Sequence, residues 1–187
     1  MLMMLGATLS GGGAEALERC LVRMADGDTD ALSGLYERTH AAIYGYALSL
    51  LKNVQDAEDV MQDTFVKAFH AAGQYKSSGR PMAWLMTIAR NEALMRIRGR
   101  GRTVSMSPED WQEQFADRPD VSQEDKLTLK ALLETLSDEE REIVTLHALT
   151  GLKHREIAAM LDLALPTVLS KYNRAIKKLG KSLEEAE

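Results

Sequence analysis

The chain has few cysteines, few aromatic side chains and no long apolar run. Its single cysteine, Cys20, cannot form an internal disulfide bond, which predicts a reducing, cytoplasmic location. No segment approaches the roughly 20 consecutive apolar residues that a transmembrane helix needs, so no membrane span is expected. Residues 1–13 are apolar but short, lack a basic start and end in three glycines. We therefore expect a disordered lead-in there and not a signal peptide.

The residues that favour β-strands are also scarce. Aromatic residues make up 5% of the chain, and valine and isoleucine are thin in most segments. Leu, Ala, Met, Glu, Lys and Arg dominate instead, and these side chains lose least on entering a helix. The composition predicts an all-α fold, and the residue pattern divides it into two small helical domains joined by a flexible linker.

The charge is distributed unevenly along the chain. The formal net charge is −5, which argues against a protein that coats nucleic acid over its whole surface. Residues 66–102, however, carry 8 basic side chains and 1 acidic one, whereas residues 14–65 carry 4 basic and 10 acidic ones. A compact basic segment within an acidic protein indicates a local site for a polyanion.

The N-terminal domain is predicted to span residues 14–99 and to contain four helices, because apolar residues recur there at spacings of three and four. Asp28 is the expected N-cap of the second helix, and Pro81 suits the first turn of the fourth. The expected helices lie at about 14–25, from Asp28 to about 51, from about Asp56 to before Gly73, and from Pro81 to about Arg98.

Residues 100–126 are predicted to be an acidic linker, because they contain two prolines and no sustained apolar period. Trp111 and Phe115 within it either pack on one domain, the interpretation we prefer, or run along a partner surface. The C-terminal domain, residues 127–187, is expected to begin with a helix whose apolar stripe is Leu129, Leu132, Leu133 and Leu136.

Ser137 and Glu140 then form a predicted capping box. The helix that they open should run to about Leu149, with Gly151 as its left-handed terminator. Two shorter helices are expected at about 153–161 and 166–179, with a frayed tail from Lys181.

The last two helices have the pattern of a helix-turn-helix. Ala158 is small where the helices must approach closely, Ile157 and Val168 are apolar where the pair needs support, and the second helix is rich in polar and basic residues. An ordinary helical hairpin is the alternative, but the spacing and the basic face favour DNA binding. The candidate DNA-binding residues are Arg155, Thr167, Ser170, Lys171, Arg174, Lys177 and Lys178.

The basic helix of the N-terminal domain is a second candidate site for nucleic acid. An aromatic side chain and an amide beside several cations suit an unstacked base and its backbone. The alternative is a solvated basic face with Trp84 in the core. The candidate residues are Arg80, Trp84, Arg90, Asn91, Arg96 and Arg98.

No pattern in the chain supports an enzyme. Glu37 and His40 form a single Glu-x-x-His motif, whereas a di-iron bundle needs two copies and further glutamates. Cys20 and His40 lack metal-ligand spacing, and no phosphate loop or catalytic triad is present. We therefore predict no catalytic residue, no metal and no cofactor.

Five segments of the chain form a recognisable set: DAEDVMQDTF at 56–65, WLMTIARN at 84–91, LSDEER at 136–141, EIA at 156–158 and TV at 167–168. Taken together and in this order, they resemble an extracytoplasmic-function (ECF) sigma factor of bacterial RNA polymerase, over about residues 29–179.

The resemblance implies that the chain binds core polymerase and directs it to a two-part promoter. The N-terminal domain would read the minus-ten element, and the helix-turn-helix would read the minus-thirty-five element and pack on the β flap. An anti-sigma factor is the expected inhibitor. From the residues alone, the acidic start of the third helix is explained by the helix dipole. The resemblance instead assigns polymerase β′ clamp binding to Asp56, Glu58, Asp59, Gln62, Asp63 and Phe65.

The sequence departs from the family pattern at Pro166, Leu169 and Met95, where the family usually has a glycine, a cation and an acid. We expect these residues to alter promoter preference. Two other hypotheses remain at this point: a free-standing DNA-binding regulator, and a metal-dependent helical enzyme built on Glu37 and His40.

Overall fold

The computed structural model describes residues 11–100 and 134–184. In these residues the protein is helical and contains no strand, which confirms the predicted all-α class. None of the described helices is both long and apolar enough to cross a membrane. The helices are α1 Gly11–Ala25, α2 Asp30–Leu51, α3 Val54–Ala71, α4 Pro81–Arg100, α5 Asp138–Thr150, α6 His154–Leu161 and α7 Leu165–Glu184, with a 3₁₀ turn at Ala72–Gln74.

The first helix is longer than the sequence indicated. Helix α1 begins at Gly11, so residues 11–13 are helical and their assignment to a disordered lead-in was wrong. The rest of the predicted lead-in lies outside the described residues. Leu17 and Leu21, one turn apart, are fully buried. Their packing stabilises the helix and offsets the helix-weakening effect of its glycine-rich start.

Local capping sets the boundaries of α2 and α3. The Asp28 carboxylate accepts hydrogen bonds from the backbone amides of Asp30 and Ala31, at 2.9 and 3.3 Å, which is the capping role predicted for it. Helix α3 begins at Val54, earlier than the predicted start at Asp56. The reason is that the Asn53 side chain caps it by accepting from the Asp56 amide at 2.9 Å.

The capping box at the start of α5 is present as predicted. The Glu140 amide donates to Ser137 Oγ at 3.3 Å, and the Ser137 amide donates to the Glu140 carboxylate at 3.0 Å. Gly151 ends the helix at φ 69°, a left-handed conformation that favours glycine. Helix α7 continues to Glu184, so the prediction of a frayed tail from Lys181 was wrong for residues 181–184. The predicted leucine stripe lies outside the described residues, except for the buried Leu136.

The two helical units pack against each other through α2 and α5. Buried side chains of both units, such as Ile43 and Leu146, belong to one continuous apolar cluster. The helices approach closely because Gly45 has no side chain, and a Cβ atom there would lie 3.1 Å from Leu149 Cδ1. The placement of the units, which the sequence left open, is therefore set by a close helix–helix contact.

Candidate nucleic-acid and protein-binding surfaces

Helices α6 and α7 form a helix-turn-helix. Ile157 and Val168 are fully buried between the two helices and their support, and Ala158 is buried at the point of close approach. The turn is closed by a hydrogen bond from the Leu163 amide to the Ala158 carbonyl at 3.0 Å. Asp162 adopts a left-handed φ of 54°, which aspartate tolerates better than most residues. The motif that the sequence predicted is thus built as expected.

The outer face of α7 is exposed along several turns. Its exposed residues recur at spacings of three and four, so they lie on one side of the helix, opposite the buried Val168 and Ala175. Among the predicted DNA-binding residues, Ser170, Arg174 and Lys177 lie on this face, and Arg155 of α6 is also exposed. The exposed residues of this face are Pro166, Leu169, Ser170, Asn173, Arg174 and Lys177.

Two of the predicted DNA-binding cations are directed back toward α5. Lys171 Nζ lies 2.5 Å from Glu139 Oε2, and Lys178 Nζ lies 2.7 Å from Glu140 Oε2. The hydrogen bond from Lys178 is the main reason why the pKa of Glu140 lies below its usual range. These lysines hold α7 on α5, whereas Arg174 and Lys177 have no ion pair within the described residues. Thr167 is half-buried at the start of the helix.

The outer face of α4 carries a second exposed stripe. Thr87, Asn91, Met95 and Arg98 are exposed at helical spacing, and Arg80 is exposed just before the helix begins. This stripe includes three of the predicted DNA-binding residues. Trp84 is half-buried against the apolar core, and its ring meets the Tyr75 ring edge-on, with centroids 5.3 Å apart. This position matches the alternative interpretation, in which Trp84 belongs to the core and does not stack on a base.

Arg96 points away from that stripe, toward α3. Its guanidinium donates to Asp59 at 3.0 Å and to Asp63 at 2.9 Å, and it lies 3.7 Å from Asp56. The structure therefore places this predicted DNA-binding residue in an ion-pair cluster with three acids that the resemblance assigned to polymerase binding. We call these four side chains the Arg96 cluster. It neutralises part of the acidic charge of α3 and links that helix to α4.

The exposed side of α3 contains some, but not all, of the residues that the resemblance selected. Glu58 and Gln62 are exposed, and Asp59 and Asp63 are half-exposed. Asp56 and Phe65 are buried, with only 2% and 5% of their surface exposed. The Phe65 ring packs on Tyr36 of α2, with centroids 4.9 Å apart. Phe65 therefore supports the exposed side of α3 from the core and does not itself form part of that surface. Asp56 supports it in the same way, at the start of the helix and beside Arg96.

One exposed residue of α3 was missed by the sequence reasoning. Val66 is 55% exposed, one turn beyond Gln62 on the same side of the helix. It gives a polar surface an apolar end. The signal was available, because Val66 lies out of phase with the buried Val60, Thr64 and Ala68.

A partly buried polar cluster of Tyr46, Arg90 and Glu142 joins the two helical units. Tyr46 Oη of α2 and Arg90 Nε of α4 both donate to Glu142 Oε1 of α5, at 2.8 and 2.9 Å. Burial, and then the Glu142 carboxylate, raise the pKa of Tyr46 far above its usual range, so its hydroxyl remains a donor. Arg90, a predicted DNA-binding residue, is thus engaged by the other unit in this conformation. No sequence motif signals this contact, because its partners are far apart along the chain.

The histidines provide no metal site in the described part of the chain. There, no three His, Cys, Asp or Glu side chains lie close enough together to hold a metal ion. His40 interacts instead with its own helix, through the Tyr36 carbonyl at 2.9 Å and the Tyr36 ring. The His147 and His154 rings stack with centroids 4.6 Å apart, and Tyr172 packs edge-on against both.

Comparison with known proteins identifies the family. Residues 35–103 match the family described as Sigma-70 region 2, and residues 126–179 match Sigma-70, region 4. The ECF RNA polymerase sigma factor SigK of Mycobacterium sp. (strain KMS) is 29% identical, over 89% of this chain and 90% of SigK. The chain belongs to the ECF sigma factors of the sigma-70 family. The resemblance stated from the sequence is confirmed.

Two solved structures are similar to this chain over most of its length. CnrH, solved with the cytosolic domain of CnrY, has a TM-score of 0.69 at 26% identity and covers 92% of this chain and 99% of its own. The sigma factor RpoE of Bartonella quintana, solved with the anti-sigma factor NepR, has a TM-score of 0.64 at 28% identity. That match covers 80% of this chain and 94% of RpoE.

Proposed function

We propose that this sigma factor binds core RNA polymerase through the exposed side of α3 and directs it to a two-part promoter. The α4 stripe, with Arg80, Asn91 and Arg98, contacts the opened minus-ten element. The outer face of α7 enters the major groove of the minus-thirty-five element, with Arg155 beside it, and this unit also packs on the polymerase β flap. In this division, residues 14–99 and 127–187 are the two functional domains, and residues 100–126 connect them.

The separation of charge between the surfaces carries the proposal. The exposed side of α3 has carboxylate and amide groups at its centre, which suits a basic protein partner. Helix α7 has five cations and no acidic residue between 165 and 183. The α4 stripe likewise has Arg98 at its end and no acid among its exposed residues. Surfaces of opposite sign suit different partners, one a protein and the other DNA.

The chain provides recognition in this proposal, and the polymerase provides the chemistry. The site of action is then the cytoplasm, where the polymerase and the chromosome are found. Because RpoE was solved with an anti-sigma factor, we propose that an anti-sigma factor also binds this chain and keeps it from the polymerase. The candidate surfaces for that inhibitor are the same exposed sides of α3 and α7.

Paired substitutions on α7 test which cations meet DNA. Arg174→Ala with Lys177→Ala and Lys171→Ala with Lys178→Ala each remove two charges from the same helix. The first pair should weaken promoter binding by the holoenzyme and lower the salt slope of log K by about two. The second pair should change the slope much less, because those lysines are already paired with Glu139 and Glu140. Equal slopes for the two double variants would contradict the assignment of this face.

A charge reversal on α3 tests the polymerase-binding surface. Glu58→Lys should weaken the association with core polymerase, measured by titration without DNA. Glu15→Lys on α1 makes the same charge change at another exposed helix position and should leave the affinity unchanged. If both variants bind core polymerase as the wild type does, α3 is not the docking surface.

A further inference from the structure

The outer face of α7 carries an apolar residue at one edge. Leu169 is 39% exposed and lies on the outer face with Ser170, Asn173 and Arg174. It follows Pro166 by one turn, within the front part of the helix. In a helix-turn-helix this part of the second helix approaches the base edges. The residues that the structure describes leave part of the apolar surface of this leucine exposed.

Apolar side chains have one preferred contact in the major groove. Most groups on the base edges are hydrogen-bond donors or acceptors, whereas thymine presents its 5-methyl group, the largest apolar group there. A cation at this position would contact phosphate or guanine, and leucine cannot do either. Ser170 and Asn173, which lie next to it on the outer face, can hydrogen-bond to neighbouring base edges.

We infer that Leu169 contacts a thymine methyl group and makes the upstream promoter element specific for a T at one base pair. This inference rests on the proposed function of α7. The main competing occupant of the surface is a protein, since Leu165 and Ile176 are also exposed and apolar. The observations favour DNA, because Leu169 lies in the front part of the helix, its neighbours on the outer face are Pro166 and Asn173, and no acid occurs on α7 before Glu184.

Deoxyuridine provides a direct test, because it lacks only the methyl group of thymidine. Holoenzyme reconstituted from core polymerase and the full chain would first select its upstream element from a randomised promoter library. Each thymine of the selected element is then replaced by deoxyuridine, one at a time, and binding is measured. The wild type should lose affinity by about fourfold at one position, the effect of one methyl group leaving an apolar contact.

The variant Leu169→Ala should lose this sensitivity to the methyl group, while Ile176→Ala, an exposed apolar residue further along the helix, should retain it. The inference fails if no thymine shows the effect, or if Leu169→Ala still shows it. It also fails if Leu169→Ala weakens the binding of core polymerase in the absence of DNA, since that result identifies Leu169 as a protein-docking residue. If wild-type holoenzyme selects no promoter at all, the proposed function itself is wrong.

Discussion

The polar cluster of Tyr46, Arg90 and Glu142, called the Glu142 cluster below, leads to a quantitative prediction about how the two units are held together. Glu142 accepts hydrogen bonds from Tyr46 and Arg90 on the other unit. Glu142→Ala would leave the fully buried Tyr46 hydroxyl without this acceptor, and Arg90 without its carboxylate. A hydrogen bond to a charged group contributes about 1.5–3 kcal/mol, and an unsatisfied buried group costs about 1–3 kcal/mol.

The Arg90 side chain is 24% exposed, so water recovers part of its loss. We therefore expect Glu142→Ala to lower the free energy of unfolding by about 3 kcal/mol. Glu142→Gln keeps an acceptor for Tyr46 and should lower the free energy of unfolding by about 1 kcal/mol. Because Tyr46→Phe removes the same hydrogen bond, the double variant with Glu142→Ala should be less destabilised than the sum of the single effects.

Urea unfolding followed by circular dichroism measures these free energies. The control is Glu139→Ala on the same helix, whose ion pair with Lys171 is more exposed and should contribute at most about 1 kcal/mol. The units share one apolar cluster, so the wild type should unfold in a single transition. A loss below about 0.5 kcal/mol for Glu142→Ala, or additive effects with Tyr46→Phe, would refute the cluster as a link between the units.

Three further predictions follow from single residues. Burial, and then repulsion from its stacked histidine neighbour, lower the pKa of His154 below 6.5, so the unfolded chain takes up this proton more readily. The free energy of unfolding should fall as the pH drops below about 6.5, and His154→Gln should flatten that part of the profile; an unchanged profile would contradict this. Gly45→Val should lower the free energy of unfolding, measured in urea, by about 2 kcal/mol, because the new side chain would be overpacked against Leu149. Adding Leu149→Ala should recover part of that loss, and no recovery would exclude this contact as the cause. Arg96→Gln should lower the free energy of unfolding by about 1–2 kcal/mol at low salt and less at high salt, whereas Arg98→Gln should have little effect. Equal losses of stability in the two variants would argue against a stabilising role for the Arg96 cluster.

The features predicted well from the sequence are those determined by neighbouring residues. The capping box of Ser137 and Glu140, and the terminator Gly151, depend on local backbone geometry and are found where expected. The start of α3 was misplaced because Asn53 and Asp56 are both good capping residues, and the choice between them depends on which backbone amide the side chain reaches. The helices and the helix-turn-helix follow from apolar spacing, which is also local.

The contacts between helices could not be predicted in the same way. Arg96 looks like its neighbours in a basic helix, and only the packing of α4 on α3 places it among aspartates. The sequence does distinguish Lys171 and Lys178 from Arg174 to some extent, because these two lysines flank the apolar stripe of Val168 and Ala175 that faces α5. The glutamates that receive them lie more than 30 residues earlier, and no local pattern identifies that pairing.

The central claim is that this chain gives polymerase its promoter specificity, and reconstitution with sigma-free core polymerase tests it most directly. The full chain is mixed with core polymerase without an anti-sigma factor, then assayed by co-elution and by run-off transcription from a selected promoter. We predict a stable complex and transcripts that require both the chain and the promoter. If the chain fails to co-elute and transcription is the same without it, the assignment is contradicted.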